Sequence, residues 1–355
     1  MRSRHRVRPS MAQVAEAAGV SIATVSNALN GTGRLSEETR HRVMTAAREL
    51  SYLPFTSARA AARGGTGLLG LTLTTYGDLP VSYIQVPYYA QLVLGAIEAA
   101  HQRGYLLVVL PHSVPAWMWL TTPVDGVIHI EPTRNDPVHE ILRQRGIPLV
   151  TDGRPPAPQH GDAWVDNDIE AAVCELLDHL AAAGARRIGV LLPEHDDSYP
   201  DLVRRAYEEW CARHDQPLHV DSYGMSDDPE TTEREAARRL LGSRPAPDAL
   251  FGVYTDSGRS ILAAARDLEV AVPDELLVAA ISEDPTYADL TPPVTTVSLN
   301  PQRLAAEAVD LLLGLVNQRR DIDRERLVAH DLIVRESTRP RRAAPGPPRP
   351  RATAR

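Results

Sequence analysis

Between residues 68 and 281 the chain alternates apolar runs with amphipathic helical stretches, and no other feature of it narrows the possible folds as far. The runs LLGLTLT, LLVVL, DGVIHI and IPLVT are interleaved with helix-prone stretches at 88–102 and about 137–145. A second set follows: a helix at 169–183, RIGVLL, a helix at 201–214, LHVDSY, a helix at 230–241, ALFGVY, a helix at 257–268 and LLVAAI. A helix between two strands carries the chain back over the sheet, so the next strand lies parallel to the last. With 355 residues to distribute, the pattern predicts an α/β body of two parallel-sheet, Rossmann-like lobes. Ligands of open parallel sheets sit beyond the carboxyl ends of the strands. In a two-lobed body that place is the cleft.

The first fifty residues follow a different pattern. Ser10 can cap a helix in which Met11, Val14, Ala15 and Ala18 share a face, and Gly19 ends it because glycine adopts positive φ without steric cost. Ser21 opens a second helix with Val25, Ala28 and Leu29 inward, and Ser36-Glu37-Glu38 opens a third with Val43, Ala46, Ala47 and Leu50 inward. Three short helices, the first two joined through a tight glycine turn, make a small all-α helix-turn-helix head. The outward residues of the second helix are Ile22, Ala23, Thr24, Ser26, Asn27 and Asn30, a face without bulk or charge. Such a face suits the major groove of DNA. Ser21, Thr24, Ser26 and Asn30 offer hydroxyl or amide groups to phosphates; Asn27 can pair with adenine, and Ile22 and Ala23 can touch a thymine methyl. Ser10, at the start of the first helix, is counted with this DNA-contacting set.

Charge supports that division. The net charge is −8, yet residues 1–63 hold ten arginines against four acids, and 64–338 hold 22 against 42. A basic head on an acidic body implies that the head meets an anion and the body does not. A small three-helix interaction domain would leave the excess of arginine unexplained. The absence of an 18-residue apolar run or an apolar signal segment points to a cytoplasmic protein with no membrane partner. Gly65 to Gly70 satisfies G-x-G-x-x-G, but a helix-prone stretch precedes it and a strand follows, the reverse of a dinucleotide site; a flexible linker is expected there instead. The adjacent His195, Asp196 and Asp197 cannot converge on one metal ion. Without a G-x-S-x-G elbow, phosphate loop or H-E-x-x-H element, neither a cofactor nor an enzyme is expected. Two cysteines, Cys174 and Cys211, form no framework.

The run MAQVAEAAGVSIATVSNALNGTGRLSEETRHRVMTAARELSYLP closely resembles the DNA-binding head of the lactose-repressor (LacI/GalR) family, whose pattern is roughly D-V-A-x-x-A-G-V-S-x-x-T-V-S-x-x-L-N. The resemblance implies that Ile22, Ala23 and Asn27 choose the operator sequence. It also implies a hinge helix after Pro54 that folds on DNA, with Arg59 and Arg63 at the phosphates or narrow groove and a leucine wedged into a base step. Here Ala61 occupies that leucine's place. An alanine wedge implies a less bent operator, or a different wedge such as Phe55.

The body resembles the periplasmic-binding-protein-like core of the same family, and the implied effector residues lie in its loops. V-P-Y-Y-A is similar to N-P-F-F, giving Tyr88 or Tyr89 a stacking role, with Tyr76 and Asp78 in the preceding loop. LVRRAYEEW offers Arg204, or Arg205 one residue on; VYTDSG keeps Asp256; VAAISED puts Ser282 and Glu283 where two aspartates would sit. The domains implied are a basic extension at 1–8, the head at 9–51, the hinge at 52–65, the effector-binding and dimerisation core at 66–338, and a disordered Arg/Pro-rich tail at 339–355. The function implied is a homodimeric regulator, a repressor of a palindromic double-stranded DNA operator, controlled by a small-molecule effector such as a sugar or related metabolite. The alternative is a small-molecule or sugar-binding protein with no gene-regulatory role, for which the body alone suffices. The segment PHSVPAWMWLTTP at 111–123 is short for a helical crossover and reads as a loop against a partner or as core packing.

Overall fold

The computed structural model describes residues 10–30, 33–50, 65–73, 86–111, 115, 117–194, 199–224, 229–254 and 256–340. The head contains α1 (Met11–Ala18), α2 (Ile22–Asn30) and α3 (Glu37–Glu49). A capping box fixes the start of α1: the Gln13 amide N–H donates to Ser10 Oγ at 3.3 Å and the Ser10 N–H to Gln13 Oε1 at 2.7 Å. Gly19 ends the helix at φ 64°. Val14, Ala15, Ala18, Val25, Ala28, Val43, Ala46 and Ala47 form the buried core, with Met11, Leu29 and Leu50 packed at its edge. These side chains are small, so the three helices approach closely and the domain stays compact.

The first lobe is a parallel sheet of β1 (Leu68–Leu73), β2 (Leu106–Pro111), β3 (Gly126–Ile130), β4 (Leu149–Asp152), β5 (Trp164–Asn167) and β11 (Glu325–Val328), in the order β11-β5-β4-β3-β1-β2. The second holds β6 (Ile188–Glu194), β7 (His219–Gly224), β8 (Ala249–Gly252), β9 (Leu277–Ile281), β10 (Thr295–Ser298) and β12 (Asp331–Ile333), in the order β12-β10-β9-β8-β6-β7. Only β12 among these pairs antiparallel. The connecting helices are α4 (Pro87–Gln102), α5 (Met118–Thr121), α6 (Pro137–Gln144), α7 (Ile169–Ala182), α8 (Tyr199–Arg213), α9 (Pro229–Leu241), α10 (Ser257–Asp267) and α11 (Pro301–Val316). Helix α11 packs on α4 so tightly that a Cβ on Gly95 would stand 2.8 Å from Gln302 Cα.

The chain passes between lobes three times: after β5, after β10, and between β11 and β12. Buried Asn167 joins all three crossings, its Nδ2 donating to Leu299 O at 2.6 Å and Val328 O at 3.4 Å. Asn300, at φ 53°, donates from Nδ2 to Ala329 O and Asp331 Oδ2, both at 2.9 Å.

Two expectations need amending. The glycines at 65 and 67 are not a loose linker: Asp125 accepts from Thr66 N at 2.6 Å and Gly67 N at 2.8 Å, a clamp that fixes the entry to β1. In the 111–123 segment the two tryptophans part ways. Trp119 is fully buried against Val127, Val138 and Leu142, while Trp117 is 58% exposed.

Candidate nucleic-acid interface and ligand cleft

Ser21 immediately precedes α2, and its Oγ accepts from Thr24 N at 3.1 Å and lies 2.9 Å from Thr24 Oγ1. That bond satisfies a helix-start amide and holds both hydroxyls on one surface. Ile22 is 53% exposed, Ala23 is exposed, and Thr24, Ser26 and Asn27 are half-buried on the same helix. The Asn27 side chain packs on Gly33, where a Cβ would stand 3.1 Å from Nδ2. Gly33 at φ 75° therefore leaves room for the amide. Asn30 closes α2, and Ser10 is exposed at the start of α1. Arg59, Ala61, Arg63 and Phe55 lie outside the described residues.

Between the lobes a cleft encloses about 790 Å³, part of it open to solvent. Its walls are strand ends: Glu131 after β3, Asp152 and Arg154 at the end of β4, Asp166 in β5, Val253 and Tyr254 after β8, and Ser282 and Glu283 after β9. Tyr88 and Tyr89 enter from the start of α4, Tyr199 and Leu202 from the start of α8. Tyr88 packs against the cores of both lobes. Its ring meets that of Tyr89 edge-on at 5.4 Å, and Tyr199 meets Tyr254 likewise at 6.1 Å.

The cleft is electrostatically lopsided. Tyr89 Oη donates to the Glu131 carboxylate, and Tyr88 Oη to Asp152 Oδ2 at 3.4 Å. Burial, then the neighbouring charge of Asp166, pushes the Asp152 carboxyl well up, against the Tyr88 bond. Burial raises Asp166 as well, opposed by amides of Arg154 and Asn167 donating at 3.0 and 2.7 Å. Glu283 is raised by burial while accepting from Ser298 Oγ at 2.7 Å and Leu299 N at 2.5 Å. Burial and the charges of Asp152 and Glu131 hold Tyr88 well above the ordinary phenol value. Desolvation disfavours each charged form, so an occupant that restores polar contacts is favoured.

Of the residues expected here, Tyr89, Ser282 and Glu283 line the cleft, with Tyr88 beside them. Arg204 is not among its lining residues and donates to Ser222 Oγ at 3.3 Å, while Arg205 is exposed near Glu209. Asp256 stands at the start of α10, 53% exposed and 3.6 Å from Arg259. Tyr76, Asp78 and residues 195–197 lie outside the described residues. Sequence reading missed Glu131, Asp152, Asp166, Tyr199 and Tyr254, each at the carboxyl end of a strand or the start of a helix.

A second polar cluster lies under the cleft. Buried Glu233 of α9 accepts from Ser257 Oγ, which in turn accepts from Tyr254 N at 3.1 Å. Burial pushes the Glu233 carboxyl up to about 7. The relay ties α9 to the turn that presents Tyr254.

The family model described as bacterial regulatory proteins, lacI family, matches residues 10–54, and that of the periplasmic binding protein-like domain matches 177–338. The chain belongs to the lacI family. Among lacI-family proteins it is 28% identical to the HTH-type transcriptional regulator CelR of Thermobifida fusca, over 94% of this chain and 99% of that one. It is 27% identical to the HTH-type transcriptional repressor PurR of Actinobacillus pleuropneumoniae, over 92% and 97% respectively. The solved CelR-cellobiose complex superposes with a TM-score of 0.70 at 26% identity, covering 93% of this chain and all of that one. The Lac repressor dimer bound to operator and the anti-inducer ONPF shares the fold with a TM-score of 0.76 at 20% identity, covering 94% of this chain and all of that one. No helix among the described residues is long and apolar enough to cross a membrane.

Proposed function

We propose that this lacI-family protein is a transcriptional repressor that binds a two-fold symmetric operator as a homodimer, in the cytoplasm and without catalysis, under control of a small molecule held between its lobes. The observation that carries the reading is the surface of α2, where Ile22, Ala23, Thr24, Ser26 and Asn27 present methyl, hydroxyl and amide groups on a helix with no charged side chain. Residues 9–51 serve as the reading head, 52–65 as the hinge and 66–338 as the effector-binding and dimerising core. The relative solved with cellobiose supports a small-molecule role for the cleft. An occupant that favours one lobe orientation changes the spacing of the two heads, with a coupling of about 1–3 kcal/mol.

The test is a genome-fragment pull-down with purified protein at physiological salt, followed by footprinting. A palindromic footprint beside an operon is the expected result; salt-sensitive retention with no preferred site overturns it. In a binding-site selection, Asn27→Ala should relax preference at one operator position by about 1–3 kcal/mol. Unchanged preference removes Asn27 from the reading set.

A further inference from the structure

We propose that the occupant of the cleft is an organic cation, an ammonium or guanidinium group on an apolar or ring-shaped body. The inference rests on the effector reading above and narrows it. Among the described lining residues four are carboxylates, Glu131, Asp152, Asp166 and Glu283, and one is a cation, Arg154. Arg154 is exposed at the rim, its guanidinium 5.6 Å from the centre of the Trp164 ring. Arg204, which would have supplied a second positive charge, is bonded to Ser222 instead.

Asp152 marks where the positive charge sits. It is 3% exposed, it lines the cleft, and the hydrogen bond its carboxylate receives is the long one from Tyr88 at 3.4 Å. Asp166 follows Val165, which pairs with Asp152 across β4 and β5, so two carboxylates stand on neighbouring strand ends. A neutral polyol can donate to Asp152, but it brings no positive charge to a wall on which, among the described residues, carboxylates outnumber cations four to one. An anion adds to the excess. A cation offsets it, and the faces of Tyr88, Tyr89, Tyr199 and Tyr254 attract the same charge through their ring quadrupoles. The ring pairs on opposite lobes also give the occupant's body an apolar seat.

The test uses the full-length protein on the operator fragment from the pull-down. A small-molecule extract of the source cells is separated at pH 7 into cationic, neutral and anionic fractions, and operator affinity is measured by fluorescence anisotropy with each. A change of affinity with the cationic fraction, kept after passage over a chelating resin, is expected. A change confined to the neutral or anionic fraction, or lost on the chelating resin, overturns the organic cation and leaves the effector cleft standing. If no fraction acts while the operator is still bound, the effector reading fails and the inference with it. Asp152→Asn should require at least about 30-fold more of the active fraction, the loss typical when one partner of a buried charge pair is removed. Asp152→Glu, which keeps the charge, should recover part of that response. Equal responses from Asp152→Asn and the parent overturn the assignment.

Discussion

The second and third strands of the first lobe are joined by α5, four residues long, whereas the matching connection in the second lobe is α9, thirteen residues long. The strand order is otherwise the same in both sheets. In the second lobe Ala236, Ala237 and Leu240 of α9 cover the sheet. In the first, the indole of Trp119 takes that place beside Val138 and Leu142 of α6, over Gly70, where a Cβ would stand 2.7 Å from Cζ3. One sheet plan thus accepts either a helix or one large side chain as its cover. The cost of the second solution is visible: Trp119 Nε1 is buried without a hydrogen-bond partner among the described residues. Leu106, Trp117 and Leu120 are left exposed nearby in sequence.

The largest test of this contrast is Trp119→Ala, which should lower stability by about 3–5 kcal/mol in denaturant unfolding. Trp119→Phe should lose far less, since it also removes an unsatisfied N–H. Equal losses from the two would mean that the indole nitrogen has a partner. No single apolar side chain of α9 should match the alanine loss.

Two buried groups, one in each lobe, should answer pH with opposite signs. Glu233 is raised from 4.5 to about 7, so the folded state holds a proton that the unfolded state has already lost. Its contribution is present below pH 4.5 and falls by about 3 kcal/mol as pH rises to 7. In the first lobe burial, then His129 and Arg143, lowers His139 from 6.5 to about 4. The unfolded state there binds the extra proton, so stability is lost as pH falls from 6.5 towards 4. Trp210 reports on the second lobe, and Trp119 and Trp164 on the first. In urea unfolding followed by the fluorescence of these tryptophans, the stability of the parent relative to Glu233→Gln should fall as pH rises from 4.5 to 7, and that of the parent relative to His139→Gln should rise from pH 4 to 6.5. Slopes of the same sign would remove the contrast.

A smaller effect is expected from Gly70→Ala, about 1–3 kcal/mol, because the new methyl meets the Trp119 ring. Combined with Trp119→Phe the loss should shrink, and strict additivity in the double-mutant cycle would show that the two do not share the space.

Much of this architecture was legible in the residues. The strand-helix alternation and the head's inward faces agree with the fold because each signal is local and repeated. The closing strands ERLV and DLI are four and three residues long and join different sheets, a choice that no local pattern encodes. The cleft was legible in part. Tyr89 and Glu283 stand in motifs similar to the family's, V-P-Y-Y-A and VAAISED, whereas Asp152 follows an apolar run and the rule that ligands lie beyond strand ends would have found it. Arg204 shows the limit of reading a helix without its register. Leu202 lines the cleft, and two residues further is about 200° around the helix, so the guanidinium faces Ser222.

The triple crossing held by Asn167 and Asn300 has a consequence for synthesis of the chain. The first sheet lacks β11, and α4 lacks its neighbour α11, until residues 301–328 have left the ribosome; the second sheet lacks β12 until 331–333. The head, complete by residue 50, can fold many seconds earlier at ordinary elongation rates. A nascent protein of this design completes its helix-turn-helix head well before it has a cleft for a small molecule to occupy.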